Sequence, residues 1–289
     1  MKRIFIAGCG YIGARLARIW KEKGAEVTCL VRSPEHRDAL ASEGLIAQAG
    51  SFDDPDALPG LDVAGSIVYY LVPPPGGGNM DTRARHFCSA LAGSSPPARI
   101  IYISATSVYS EINGGVVTES SPAVPASAMG KRRLDAERVF QEYGKNTGAP
   151  LLILRVSGIY GPGRLPLMQI SQGQPLLLEN AAGPSNRIHA DDLALACLAA
   201  AEKGRDGDIF NISDGHPGSM TAYFNACADA LGMPRQPQVT MEEARHVMSP
   251  LMYSYVSESR IVDNSRMIAE LGITLRYPTF KEGISASLG

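Results

Sequence analysis

The sequence predicts an α/β fold: a doubly wound parallel sheet with helices on both faces, followed by a smaller C-terminal substrate-binding subdomain. Three observations predict it. Nearly continuous apolar runs alternate with amphipathic runs through the first half of the chain; a glycine-rich turn joins the first apolar run to the first amphipathic one; and beyond Gly161 the alternation loosens. Strands buried on both faces read as unbroken apolar segments, and such strands belong to parallel sheets covered by helices.

The strand candidates are Lys2–Ala7, Glu26–Val31, Leu45–Ala49, Ser66–Leu71, Arg99–Ser104 and Leu151–Arg155. Between them lie helix candidates at Tyr11–Lys23, Glu35–Glu43, Met80–Ala92 and Lys131–Lys145. Alternation of this kind winds a sheet with right-handed crossovers. In the second half, helices are predicted at Arg164–Gln172, Asp191–Glu202, Ser219–Leu231, Glu242–Met248 and Ser265–Leu271, with strand pieces at Leu176–Leu178 and Asp208–Ile212. The expected division is therefore 1–160 for the sheet domain and 161–289 for the subdomain, with some segments of the latter returning to the sheet. Pro73-Pro74-Pro75-Gly76-Gly77-Gly78 reads as a loop between strand and helix.

Gly8-Cys9-Gly10-Tyr11-Ile12-Gly13 is a GxGxxG that follows a strand and opens a helix. In that context Gly8 permits the tight turn, Gly10 lets the backbone approach a pyrophosphate, and Gly13 lets helix and strand pack closely. The phosphates would sit at the helix N-terminus, among unpaired N–H groups, beside Tyr11 and Ile12. This is the fingerprint of a Rossmann dinucleotide-binding domain. Cofactor choice is read at the end of the second strand, about 20 residues beyond the loop, where an acidic side chain would select NAD(H). Here the chain has Arg32-Ser33 and no carboxylate before Glu35. A guanidinium and a hydroxyl suit a 2′-phosphate, so NADP(H) is expected in preference to NAD(H). Ser51, Val72 and Ser104, at the ends of the third, fourth and fifth strands, are expected to line the same site.

By these motifs the chain resembles the extended short-chain dehydrogenase/reductase superfamily, of the NAD-dependent epimerase/dehydratase type. Ile101–Tyr109 resembles its fifth strand and the "SSxxVYG" segment; Leu154–Gly163 resembles its "LRxxxIYGPG" loop; Asn186–Ala194 resembles its "RxxxIHVDDLA" segment. Asp263–Gly272 and Tyr277–Ile284 resemble the atypical, YeeZ-like branch. The resemblance implies an oxidoreductase or epimerase acting on a small carbonyl or sugar-like substrate through a Ser/Thr, a Tyr and a Lys four residues after it. Taking Lys131 as that lysine puts Ser127 in the tyrosine's place, and Ala105 stands where the Ser or Thr belongs. Ser107 and Tyr70 are then the substitute hydroxyls, Lys131 also binds the nicotinamide ribose, and Arg187 and His189 are candidate substrate anchors. The two missing groups also raise an alternative: a non-catalytic NADP(H) sensor. The resemblance further implies a homodimer formed through the helices around Met80–Ala92 and Lys131–Lys145.

Composition narrows the partners. With 45% hydrophobic residues, 19% charged residues and a net charge of −2, the 289-residue chain reads as an ordinary globular protein, with no nucleic-acid or anionic-membrane partner expected. Its N-terminal apolar run meets the glycine loop sooner than the roughly 7–15 residues of a signal-peptide core. Five cysteines without a CxxC pair read as free thiols in a reducing, cytoplasmic setting. His36, His86, His216 and His246 have no ligand-like spacing, so no metal is expected.

Overall fold

The computed structural model describes residues 1–288. Seven strands form one sheet: β1 (Arg3–Ala7), β2 (Glu26–Val31), β3 (Ile46–Ala49), β4 (Ile67–Tyr70), β5 (Arg99–Ala105), β6 (Leu151–Val156) and β7 (Ile209–Ile212). Their order is β7-β6-β5-β4-β1-β2-β3, and every neighbouring pair is parallel. The winding reverses between β1 and β4, which opens a crevice at the carboxyl ends of those strands.

Five helices cover the sheet: α1 (Tyr11–Glu22), α2 (Pro34–Ser42), α3 (Thr82–Ala90), α4 (Ala128–Thr147) and α5 (Ala190–Lys203). The apolar stripe of α1, with Ile12, Leu16, Ala17 and Trp20, shares one core with Leu193, Ala196, Cys197 and Ala200 of α5. The opposite core holds Phe52, Tyr70, Phe87, Tyr102 and Phe140, between the sheet and helices α3 and α4. Successive strand residues point to opposite faces, so the neighbours Tyr69 and Tyr70 enter different cores. Tyr69 accepts from Trp20 Nε1 at 3.0 Å and donates to the Cys197 carbonyl at 3.3 Å. Tyr70 packs its ring against Phe140, Phe87 and Tyr102.

The Asp208–Ile212 segment is β7, so the second half of the chain returns to complete the sheet. The remaining C-terminal residues gather around Tyr160, Leu176, Tyr223, Phe224, Cys227 and Ile284 in a smaller core. Short strands that the apolar pattern does not announce join this region to the sheet: Gly158–Tyr160 pairs with Arg187–His189, and Asn113–Val117 pairs with Ser259–Val262. Helices at Pro250–Ser257 and Phe280–Ser287 are likewise absent from the sequence pattern. No helix among the described residues is long and apolar enough to cross a membrane.

One buried ion pair ties α4 to the sheet. Glu137, 2% exposed, receives Arg155 Nη2 at 2.8 Å and Nε at 3.1 Å, and Ser104 Oγ donates to it at 2.6 Å. Ser104 is thereby turned into the sheet–helix interface, not toward the crevice where sequence reasoning had placed it. Removing one member of such a pair leaves a desolvated charge without its counterion. Glu137→Gln is therefore expected to lower unfolding free energy by about 3–5 kcal/mol in a denaturant titration.

Candidate dinucleotide site

The glycine loop sits over the reversal point, and its three glycines are there for different reasons. Gly8 has φ of +82°, and a Cβ on it would lie 3.0 Å from the Val72 nitrogen and 3.1 Å from the Leu71 carbonyl carbon. A Cβ on Gly13 would lie 3.1 Å from the Gly8 oxygen and 3.1 Å from Ile6 Cγ2. These two glycines let β1, α1 and the end of β4 approach one another. Gly10 is different: a Cβ there meets only the Gly8 oxygen, at 4.0 Å. That free space lies at the N-cap of α1, whose first turn carries no acidic residue and no side-chain cap. The initial N–H groups of a helix have no partner within it, so this end is prepared for an anion.

Beside the loop lies a cavity of about 290 Å³, walled by Gly8, Gly10, Arg32, His36, Ser51, Phe52, Asp53, Val72 and Arg83 among others. Of the residues expected to bind cofactor, Gly8, Gly10, Arg32, Ser51 and Val72 are brought together in this wall. Open glycine backbone, basic side chains and apolar surface together fit the adenosine end of a dinucleotide. Four expected residues have other duties. Ser33 Oγ accepts from His36 N at 3.3 Å and caps α2. Ile12 lies in the core beneath α1, and Gly13 serves packing. Tyr11 donates its hydroxyl to the Pro162 carbonyl at 2.9 Å and lies against the guanidinium groups of Arg15 and Arg164.

The catalytic expectations need more correction. Tyr70 is fully buried among aromatic rings, and its hydroxyl has no hydrogen-bond partner among the described residues. Burial holds its pKa well above the ordinary tyrosine range, and a phenol in that position exchanges no proton with the crevice. Ser127 is the N-cap of α4, its hydroxyl accepting from Gly130 N at 3.3 Å. Lys131 is exposed. The side chains of α4 that face the sheet are spaced four apart, and Glu137 is one of them. Four residues before it stands Arg133, whose Nη1 donates to the Ile103 carbonyl at 2.9 Å, near the carboxyl end of β5. Four residues earlier again is Met129. The first turn of α4 is pressed on the segment after β5, because a Cβ on Gly130 would lie 2.3 Å from the Ser107 carbonyl oxygen. Met129 and Arg133 thus share the four-residue spacing that sequence counting had given to Ser127 and Lys131. Either way, the position contains no phenol.

The other tyrosines of this region are also committed. Tyr109 donates to Asn211 Oδ1 at 2.5 Å, and Tyr160 donates to the Thr279 carbonyl at 3.3 Å. Ser107 differs: its hydroxyl is buried and has no hydrogen-bond partner among the described residues.

The two substrate candidates turn inward. Arg187 is 7% exposed, with Nη1 donating to Ser185 Oγ at 3.0 Å and its guanidinium 4.2 Å above the Tyr223 ring. His189 is 1% exposed; its Nδ1 accepts from Asp191 N at 3.2 Å, which caps α5. Burial lowers its pKa and keeps the ring neutral, as a capping acceptor must be. Neither residue presents a free group to a substrate. Among the described residues there is no cluster of three or more His, Cys, Asp or Glu able to hold a metal ion.

Among the wall residues that sequence reasoning missed are His36, Phe52, Asp53, Pro73 and Arg83, and it also missed Arg133. The last was accessible from the four-residue spacing back from Glu137. Arg83 had no local signal, since it reaches the cavity from a helix distant in sequence.

Behind this region, Asp214 follows the end of β7. It is 3% exposed, Oδ1 accepts from His216 N at 3.0 Å, and Oδ2 has no hydrogen-bond partner among the described residues. Burial raises its pKa to about 6, against a smaller opposing pull from Arg187. From about pH 4, the ordinary carboxylate value, to about pH 6 the folded chain keeps a proton that the unfolded chain releases. Its contribution to stability therefore falls as pH rises through that window. Asp214→Asn is expected to remove this component, so that thermal melting shows the variant gaining on the wild type between pH 4 and pH 7.

Comparison with known proteins agrees with the geometry. Residues 4–213 match the family model described as the NAD dependent epimerase/dehydratase family. The chain is 28% identical over 293 aligned positions to Protein YeeZ of Escherichia coli (strain K12), covering 96% of this chain and 97% of that one. A solved structure of a functionally unknown conserved protein from Silicibacter pomeroyi superposes with a TM-score of 0.85 at 27% identity, over 99% of this chain and 98% of the other. The dTDP-glucose 4,6-dehydratase of Bacillus anthracis, solved in complex with NAD, superposes with a TM-score of 0.79 at 16% identity, over 100% of this chain and 96% of the other, a likeness of fold.

Proposed function

Because the chain belongs to the NAD-dependent epimerase/dehydratase family, we propose that it binds NADP(H) in preference to NAD(H) and reports the state of that cofactor, without using a tyrosine for proton transfer. The observation that carries the cofactor preference is the cavity wall at the end of β2. Arg32 stands where an NAD-binding chain places a carboxylate, with His36 and Arg83 in the same wall. The carboxylate in that wall, Asp53, is engaged by Arg83. A 2′-phosphate at this place would meet positive charge, and Arg32 could grip two of its oxygens. When bound, the cofactor supplies a hydride at its nicotinamide ring. This chain supplies the cradle: helix N–H groups for the pyrophosphate, and the Arg133 guanidinium at the carboxyl end of β5 for the ribose beyond.

The reading as a cofactor reporter rests on the acid–base inventory. A phenol positioned beside a lysine is replaced in this fold by Met129 beside Arg133, and the nearby tyrosine hydroxyls are spent on structure or sealed in the core. A methionine thioether carries no exchangeable proton. A second reading, NADPH-dependent reduction of a small carbonyl or sugar-like substrate, is favoured by one observation: the unpaired hydroxyl of Ser107 on the segment that supports α4.

Calorimetric titration with NADPH and NADH tests the binding. NADPH is expected to bind at least about tenfold tighter, and Arg32→Ala to erase that gap. Equal affinity of the two reduced cofactors for wild type would overturn the preference. Lys131→Ala is expected to leave NADPH affinity within about twofold of wild type, while Arg133→Ala weakens it by about tenfold or more, as loss of a charge-assisted hydrogen bond does. NADPH oxidation followed against a panel of aldehydes and ketones separates the two functions. Turnover that disappears in Ser107→Ala would replace the reporter reading with the reductase.

A further inference from the structure

Arg83 stands on the first turn of α3 and reaches across the mouth of the cavity. Its Nε and Nη2 donate to the two carboxylate oxygens of Asp53, at 2.7 and 2.6 Å. Its Nη1 donates to the Pro73 carbonyl at 2.9 Å. Asp53 follows β3 and Pro73 follows β4, and both belong to the cavity wall together with Arg83. One guanidinium thus fastens the two loops between which the adenosine end of a dinucleotide would enter. The edge of the fork is committed to these three oxygens, which holds the plane of the guanidinium in one orientation. The side chain lines the cavity wall, where a planar guanidinium can stack on a base. It is 17% exposed. Asp53, for its part, gives each of its oxygens to one Arg83 donor.

We propose that Arg83 is the adenine-binding residue of this chain, its fixed guanidinium plane covering one face of the purine, with Asp53 as the residue that orients it. The inference rests on the NADP(H) reading and specifies how the base is held. A planar cation against a π face recognises the ring as a whole and needs no hydrogen-bond partner on its edge. Lysine cannot replace it, because a point charge on a flexible stem makes neither the bidentate fork nor the stack.

The test is calorimetry with three probes: NADPH, adenosine 5′-monophosphate, which carries the base without a 2′-phosphate, and reduced nicotinamide mononucleotide, which lacks the adenosine. Arg83→Ala is expected to weaken the first two by about tenfold and leave the third unchanged. Arg83→Lys should recover little of the loss, and Asp53→Asn, which keeps the arginine but loosens its fork, should fall between. Should Arg83→Ala fail to fold, as judged by its melting curve, Arg83→Gln carries the same comparison. Undiminished NADPH affinity in the variant would overturn the proposal. So would an equal loss for all three probes, which would make Arg83 a general support of the loops. A wild type that binds none of the nucleotides would instead bring down the NADP(H) reading itself.

Discussion

The site depends on one close approach, where the backbone after β1 passes within van der Waals contact of the backbone after β4. Gly13 lets α1 pack against the Gly8 oxygen and the Ile6 side chain, and Gly8 makes the contact itself, where a methyl group would press on the Val72 nitrogen and Leu71 carbonyl carbon. Main chain yields less readily than a side-chain end, so a substituent there would have to spread β1 from β4. The crevice at the reversal of winding exists because these two strands stay together while their following helices leave on opposite faces. Everything that lines the cavity is positioned from this point: α1 with its unpaired N–H groups, the exits of β2 and β3 on one side, and the exit of β4 on the other.

Around that backbone frame, charge is used economically. Arginines do most of the cross-linking, and they do it by tying loops to carbonyl and carboxylate oxygens: Arg83 to Asp53 and Pro73, Arg133 to Ile103, Arg155 to Glu137. A planar fork with several donors suits this work: Arg83 meets acceptors on the Asp53 and Pro73 segments, and Arg155 meets Glu137 and the Glu119 carbonyl. The same property explains why Arg133 can stand in the fold where a lysine was expected. It is held by the strand it faces, and its charge sits at the carboxyl edge of the sheet near the expected path of the dinucleotide.

The sheet domain was legible because each of its elements carries a local signature. Buried parallel strands such as Glu26–Val31 are apolar almost throughout, and the glycine loop has a fixed spacing tied to a strand and a helix. Elements outside that rhythm were not legible. Asn113–Val117 begins with a polar residue and two glycines, and Gly158–Tyr160 and Arg187–His189 are three residues each, too short to show a period. The site was legible only where main chain does the binding. Side-chain roles depend on which face a residue takes, and a shift of one strand residue or two helix residues inverts the answer. Tyr70 and its neighbour Tyr69 fell into the two opposite cores, and Lys131 is exposed while Arg133 reaches the Ile103 carbonyl. Ser127, Ser33 and His189 share a further reason: each sits just ahead of a helix, where a side-chain acceptor is needed for a cap before any other use.

The loss of a phenol matters more than the loss of any other single group in this arrangement. Hydride transfer to a carbonyl leaves an alkoxide that must be protonated, and hydride removal from an alcohol requires the reverse. A cofactor cradle without that donor keeps its affinity but forfeits the step that couples it to substrate. The chain keeps the glycine loop, with open room above Gly10, and a buried ion pair seats α4. On the proposed reading, binding and chemistry come apart at α4, where Met129 and Arg133 take the four-residue spacing counted back from Glu137. On that same reading, a dinucleotide bridging the loops after β2, β3 and β4 would stabilise the folded chain by an amount that grows with the logarithm of its concentration above Kd.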